Sequence, residues 1–229
     1  MFIIYIFIII IFGIILYTAI LYFDFKITKY QKISGKNFFE TYNNKGYLGE
    51  FLIFKQLKKL DKNLKILTNV YVPIGENKYS EIDILLLHET GIYTIESKNF
   101  TGWIYGSEFD EKWTQVYSKF YKYKFNNPVI QNKNHIKHLS EYLNIDEIYF
   151  KNYIVFGEQC RIKKSYVDYD NIRLLKRHSL NKIIKTEFNV SEKIFSNKHI
   201  NIMYEELKKL TKKSNIVKEE HINNIKNNI

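Results

Sequence analysis

"SEIDILLLHETGIYTIESKNF" (residues 80–100) predicts two β-strands joined by a tight turn. Both strands are rich in Ile, Leu and Tyr, yet each carries one carboxylate, Asp83 in the first strand and Glu96 in the second. Lys98 follows Glu96 by two residues, and side chains alternate between the two faces of a strand, so both should point to the same side. The hairpin is therefore both a core element and a candidate site.

The length of the turn decides how the two carboxylates face each other. A two-residue loop at residues 89–90 would pair His88 with Gly91, and it would set Asp83 directly opposite Glu96. A three-residue loop that ends in Gly91 would make the two carboxylates diagonal neighbours, which are still within reach of each other. In either register, both carboxylates and the Lys98 ammonium share one surface of a sheet.

Facing carboxylates repel each other, and partial burial adds a desolvation cost. Such a pair persists when a cation lies between its members, and oxygen ligands suit Mg²⁺ or Mn²⁺ better than zinc. The alternative is an ordinary strand pair with Asp83 and Lys98 on a solvated face. Apolar neighbours on both faces argue against that alternative: Ile82, Ile84 and Leu86 on one, and Leu85, Leu87 and Ile92 on the other.

Periodicity predicts the remaining elements. Helices are expected over residues 46–60, 127–143, 179–188 and 199–213; strands are expected over residues 65–74 and 151–157, with one or two more after residue 102, and the tail from Ser214 should fray. This order favours an α/β domain whose central sheet is covered on both faces.

The chain has 229 residues and a formal net charge of +11, which favours a polyanionic partner such as nucleic acid or anionic lipid. Aromatic residues alternate with lysines over residues 112–125, where they could stack on bases while the lysines meet phosphates. A solvated loop explains that stretch equally well. Cys160 is the single cysteine, so no disulfide can form within the chain.

Residues 1–23 contain no charged side chain and can span a ~30 Å hydrocarbon layer as one helix. A cleaved signal peptide would have a basic start and a shorter apolar stretch, and a buried core helix of this length would be rarer still. Residues 24–44 are polar and aperiodic, which indicates a juxtamembrane linker. Its lysines (Lys26, Lys29, Lys32 and Lys36) predict a single-pass protein whose C-terminal part lies in the cytoplasm.

Four separated pieces, "GYLGE", the hairpin, "WTQ" and "FNNPVIQNKNHIKHL", resemble the nuclease-related domain (NERD) family of the PD-(D/E)XK nuclease superfamily. The resemblance covers residues 45–143, with the motifs in the family's order. It implies an α/β, restriction-endonuclease-like core in which a central mixed sheet is flanked by helices. We expect this domain over residues 45–175, followed by a helical extension and tail over residues 176–229.

The resemblance also implies site residues. The family's helical glutamate falls on Glu50, its motif aspartate on Asp83, its Glu-x-Lys on Glu96 and Lys98, and its helical glutamine on Gln131. Asp83 and Glu96, with the Ser97 carbonyl, would hold Mg²⁺ or Mn²⁺, and Glu50 would complete a second metal position or hold a metal-bound water. Lys98 would orient the attacking water. Ser97 departs from the family, since an apolar residue is commoner there.

These inferences predict a membrane-anchored, metal-dependent nuclease that hydrolyses phosphodiester bonds, with DNA as the expected substrate. A helix over residues 127–143 would place Gln131 and His135 on one face, where they could orient substrate, although polar surface residues are the commoner explanation. The alternative function is a weak or inactive nuclease fold that binds nucleic acid or a partner at the membrane. The sequence does not determine the oligomeric state.

Overall fold

The predicted hairpin lies at the centre of a five-stranded mixed sheet with the strand order β1-β2-β3-β7-β9. The computed structural model describes residues 2–60, 64–166 and 172–212. A second mixed sheet has the order β6-β5-β4-β8. The strands are β1 (Lys65–Gly75), β2 (Lys78–His88), β3 (Gly91–Lys98), β4 (Gly102–Ser107), β5 (Lys112–Val116), β6 (Lys122–Asn126), β7 (Phe150–Phe156), β8 (Cys160–Tyr166) and β9 (Ile172–Lys176).

The helices pack mainly around the first sheet. They are α1 (Phe2–Thr28), α2 (Tyr30–Ser34), α3 (Phe38–Asn43), α4 (Lys45–Leu57), α5 (Pro128–Leu143), α6 (Leu180–Val190) and α7 (Asn197–Lys212), with 3₁₀ turns at Glu147–Tyr149 and Arg177–Ser179. Every predicted helix is therefore confirmed, with ends shifted by a few residues. The predicted frayed tail from Ser214 lies outside the described residues.

The turn between β2 and β3 has the predicted two-residue loop, because His88 pairs with Gly91. The antiparallel register continues inward as far as Ile84 opposite Ile95. The next residue beyond this pair is Asp83 on β2 and Glu96 on β3. The direct register is therefore confirmed, and the diagonal alternative is excluded.

Ile82 does not share a face with Ile84 and Leu86, as strict alternation predicted. Ile84 and Leu86 pack in the cluster beside α4, whereas Ile82 packs in the cluster beside α5 and α7. The cause is Asn69 in the neighbouring strand β1, whose backbone is left-handed with φ 52°. This conformation interrupts the pairing of β1 with β2 opposite Asp83. Side chains of β2 on the two sides of Asp83 therefore do not follow one continuous alternation, and Ile82 points to the face opposite to that of Ile84.

Helices cover both faces of the first sheet. One face packs against α4, α6 and the end of α1, through buried residues that include Phe51, Phe54, Leu180 and Ile184. The other face packs against α5 and α7, through Ile136, Leu139, Ile200, Met203, Leu207 and Leu210. The helices predicted as a C-terminal extension therefore pack against the same core as the hairpin.

The second sheet differs from the prediction of a single central sheet. β4 and β5 were expected as one or two strands, but they pair with each other and with β6 and β8 away from the first sheet. β5 and β6 together occupy most of the stretch over residues 112–125 for which a solvated loop was the alternative. β8 and β9 carry too few apolar residues in alternation to be predicted. Trp113, Phe125 and Phe156 pack between the two sheets.

The N-terminal helix α1 is exposed along its apolar length, from Phe2 to Phe23. It is long and apolar enough to cross a membrane or to act as a signal sequence, by length and composition alone. It continues without a break to Thr28, and its Phe25 is completely buried against Phe51.

Residues 24–44 are not the aperiodic linker that their polarity suggested. They hold the end of α1 together with α2 and α3, and Tyr30 and Thr41 are fully buried. Asn37 caps α3 through a reciprocal capping box with Glu40, which explains why so polar a stretch is helical. The segment belongs to the folded core.

Candidate active site

Helix α4 brings Glu50 to the end of β3. The Asn44 side chain caps the helix by accepting hydrogen bonds from two backbone amides of its first turn. Gly49 then permits close approach, because a Cβ there would lie 2.6 Å from the Asn99 Cβ and 3.0 Å from the Ser97 Oγ. Glu50 itself is 7% exposed.

Asp83, in the middle of β2, and Glu96, near the end of β3, follow directly after the last residue pair that joins the two strands. The Ser97 backbone N–H donates to Asp83 Oδ2 at 2.8 Å. Asp83 is half-buried, whereas Glu96 is only 1% exposed. One Glu96 oxygen, Oε2, is buried without a hydrogen-bond partner among the described residues. An unsatisfied buried carboxylate oxygen is costly unless something binds it.

Helix α5 covers the other side of the carboxylates. Asn127 caps it and Pro128 opens it, as the sequence predicted. Lys98 Nζ donates to Glu96 Oε1 at 2.5 Å and to Gln131 Oε1 at 3.1 Å. One turn further, His135 Nε2 lies 3.5 Å from Glu96 Oε2 while its Nδ1 lies 2.7 Å from Ser80 Oγ. Gln131 and His135 therefore both face the site.

The pKa values of Asp83 and Glu96 are shifted in opposite directions. Burial, followed by the nearby charges of Glu96 and Glu50, raises the pKa of Asp83 well above its usual value. Burial also opposes ionisation of Glu96, but contacts with His135 and Lys98 outweigh it and lower the pKa of Glu96. Glu96 thus holds the fixed negative charge, and Asp83 is the carboxylate whose charge is least compensated.

Glu50 has its own set of partners. Its Oε2 accepts hydrogen bonds from Lys36 Nζ at 3.2 Å, Asn69 Nδ2 at 3.0 Å and Tyr30 Oη at 3.4 Å. Burial raises the pKa of Glu50, and Lys36 and Asn69 act against that rise. Lys36 is therefore not one of the exposed lysines of a linker, as predicted, but a buried ion-pair partner.

Glu81 adds a fourth carboxylate to this region. Its Oε1 accepts a hydrogen bond from Tyr71 Oη at 2.6 Å and lies 3.4 Å from Asn69 Nδ2. The Asn69 amide therefore links Glu81 to Glu50. Sequence reasoning missed Glu81, although an asparagine within an otherwise apolar strand was a signal of irregular backbone.

A groove opens beside these carboxylates, between α5 and the turn that joins β1 to β2. One part has a volume of about 320 Å³ and is lined by Asp83, Glu81, Ser80, Gln131 and His135, among others. A second part of about 410 Å³ continues towards Tyr142 and shares Ile74 and His138 with the first. The site is thus reached from solvent along the face of α5.

The donor set fits one hard divalent cation only in part. Asp83 and Glu96 offer oxygen ligands, although the buried Glu96 Oε2 also lies 3.5 Å from His135 Nε2. Across residues 2–60, 64–166 and 172–212, however, no three His, Cys, Asp or Glu side chains converge as a metal cluster. Glu50 is thus not grouped with Asp83 and Glu96, and a metal here would rely on water or backbone oxygen for its remaining ligands.

Residues 45–157 match the model of the nuclease-related domain family. An uncharacterized protein of Bacillus anthracis is 36% identical over 144 residues, which cover 62% of this chain and 66% of that protein. The match therefore spans just under two thirds of the relative's own length. No solved structure matches the chain.

Proposed function

Residues 45–157 form a nuclease-related domain, and from this membership we propose that the protein is a metal-dependent nuclease that hydrolyses phosphodiester bonds in DNA. The observation that carries the proposal is the grouping of Asp83, Glu96 and Lys98 where the pairing of β2 with β3 ends, at which point Asp83 lines an open groove together with Gln131 and His135. A restriction-endonuclease-like core is the corresponding fold proposal, supported by a mixed sheet flanked by helices on both faces.

Asp83 and Glu96 would hold Mg²⁺ or Mn²⁺, which would acidify a bound water and offset charge on the phosphate. Lys98 provides a positive charge beside Glu96 for the charge that develops on the phosphate oxygens. Gln131 accepts a hydrogen bond from Lys98 and so fixes the direction of its ammonium. His135, held by Ser80, orients the Glu96 carboxylate.

The outer face of the second sheet supports a nucleic-acid substrate. Trp103 is 46% exposed and pairs across the sheet with Arg161. Lys163 lies 5.6 Å from the centre of the Trp103 ring. Further exposed lysines, Lys122 and Lys124, belong to the same sheet, which begins four residues after Lys98. Aromatic faces and cations in one surface suit bases and phosphates.

The proposal is tested with the full-length chain in detergent, incubated with plasmid, linear duplex and single-stranded DNA, and with RNA. We expect cleavage of DNA with Mg²⁺ or Mn²⁺, none in EDTA, and recovery when metal is restored. DNA binding should persist in EDTA and weaken steeply with salt, since phosphate contacts release counterions.

Each other outcome has a distinct meaning. Cleavage that is unaffected by EDTA would contradict the metal-dependent mechanism. Binding without cleavage under all metal conditions would replace the nuclease with the alternative, a weak or inactive module that binds nucleic acid. The absence of both binding and cleavage would point to a protein or lipid partner for the basic surface.

For location, we propose that α1 is a single membrane anchor with the nuclease-related domain in the cytoplasm. The helix is exposed over its apolar length, and lysines follow it. Its unbroken continuation to the buried Phe25 favours an anchor over a signal sequence, because cleavage would cut within a helix that is packed on the core.

We expect the full-length chain to remain in the membrane pellet after carbonate extraction and to keep its full mass. The matched control is the double variant Ile9→Asp/Ile11→Asp, whose side chains are exposed and do not support the core. Each aspartate costs about 3 kcal/mol near the centre of a membrane helix, so this variant should be released. Release of the wild type, or a processed chain that lacks α1, would contradict the anchor.

A further inference from the structure

Lys36 lies outside the family match, yet it is 7% exposed and its ammonium contacts a glutamate that the family resemblance assigns to the site. We propose that Lys36 is a positioning residue that supplies a built-in cation to Glu50, so that the site takes one divalent ion, at Asp83 and Glu96, instead of two. The inference rests on the proposed metal-dependent nuclease function.

The position of the Lys36 ammonium is set from several directions. Its Nζ donates to Glu50 Oε2 at 3.2 Å and to Asn69 Oδ1 at 2.7 Å. It also lies 3.7 Å from the centre of the Tyr47 ring, which adds a cation–π contact. The Ser34 hydroxyl accepts a hydrogen bond from the Lys36 backbone N–H. These contacts fix the position of the Lys36 ammonium beside Glu50.

The same asparagine serves both members of the pair. Asn69 accepts from Lys36 through its Oδ1 and donates to Glu50 through its Nδ2 at 3.0 Å. Its left-handed backbone turns the side chain to this position from within β1. The Glu50 carboxylate is therefore directed towards an ammonium and an amide, and it is neutralised without a metal.

Asp83 presents the opposite case. It accepts the Ser97 backbone N–H, and among the charges that act on it two carboxylates, Glu96 and Glu50, outrank Lys98. Lys36 and Lys98 form ion pairs with Glu50 and Glu96, whereas Asp83 forms no ion pair among the described residues. A divalent cation beside Asp83 and Glu96 would supply the positive charge that Asp83 lacks.

The experiment counts Mn²⁺ ions on the full-length chain in detergent, by electron paramagnetic resonance of free Mn²⁺ during titration. We expect one ion per chain in the wild type and loss of that ion in Asp83→Asn. Lys36→Met should add a second, weaker ion, because Glu50 then has no ammonium partner. The double variant Lys36→Met/Glu50→Gln should return to one ion, and Lys36→Arg should keep one.

Lys55→Met is the matched control, since Lys55 lies on α4, as Glu50 does, but forms its ion pair with Asp24 of α1, away from the site. It should still bind one ion. The Lys36→Met variant should also melt at a lower temperature in EDTA, and Glu50→Gln should restore part of the loss, because a buried charge without a partner is costly.

Three results would overturn the inference. These are two ions on the wild type, one ion on a folded Lys36→Met variant, or a second ion that survives Glu50→Gln. If Lys36→Met does not fold, the wild-type count decides alone: one ion supports the inference and two refute it. Two ions with metal-dependent cleavage would leave the proposed function intact, whereas no ion and no cleavage would remove the function together with the inference.

Discussion

Asp83→Asn is expected to abolish DNA cleavage, by at least about 100-fold, while the variant melts no lower than the wild type in EDTA. Cleavage fails because a metal ligand is lost. Stability is kept because the substitution preserves the shape and can still accept the Ser97 N–H, and because it removes a charge that Glu96 and Glu50 repel. Activity and thermal melting of both proteins, with and without metal, test the prediction.

The pH dependence of stability gives an independent check in EDTA. The pKa of Asp83 is raised in the folded chain, so the folded state holds this proton more tightly than the unfolded state. The stabilisation is therefore complete below the pKa of the unfolded state and is lost as pH rises through the folded value. Asp83→Asn should lack that decline, and its advantage over the wild type should grow with pH.

Added Mg²⁺ or Mn²⁺ should make the wild type more stable than Asp83→Asn. The wild type should gain about 2.7 kcal/mol at an ion concentration 100 times the dissociation constant, and Asp83→Asn should gain much less. If Asp83 were instead a structural partner of Lys98, its loss would cost roughly 3–5 kcal/mol. A variant that melts far below the wild type in EDTA, with no response to metal in either protein, would make the acids purely architectural.

Lys98→Met is expected to slow cleavage by about 10²–10³-fold while Mn²⁺ still binds. The ammonium is a donor for charge that develops during the reaction, and its removal also takes a competing cation from Glu96. Mn²⁺ affinity should therefore be unchanged or higher. Single-turnover cleavage rates at saturating metal, together with Mn²⁺ titration, separate the two effects.

Lys193→Met is a suitable control for Lys98→Met. Lys193 is an exposed lysine that pairs with Glu89 at the far end of the hairpin, so its loss should leave both cleavage and metal binding unchanged. A Lys98→Met variant that keeps the wild-type cleavage rate, or that loses Mn²⁺ binding, would contradict the role assigned to Lys98.

The hairpin could be predicted because its information is local. Alternation, a two-residue turn and Gly91 together determine the register, and the register brings the chain to Asp83 and Glu96. The helices α4 and α5 could be predicted for the same reason, because their capping residues and the spacing of their apolar residues are local features of the sequence. Placement of Gln131 and His135 on one face followed from helical spacing alone.

The features that could not be predicted from the sequence depend on contacts between residues that are far apart in the chain. Lys36 meets Glu50 across 14 positions and Asn69 across 33, and no spacing rule connects them. As a sequence feature, Lys36 is one more lysine after an apolar helix. The second sheet was missed for a related reason, because β8 pairs in parallel with a strand almost 60 residues earlier and carries little apolar alternation of its own.

The unbroken helix α1 has a mechanical consequence in the proposed topology. Five residues separate Phe23 from the end of the helix, a rise of about 8 Å, and Phe25 within that short span is locked into the core. So short a continuous helix leaves the folded domain little freedom to rotate relative to the membrane. The groove would then stay at a fixed height and angle above the lipid, and DNA would have to approach it in one orientation along the bilayer surface.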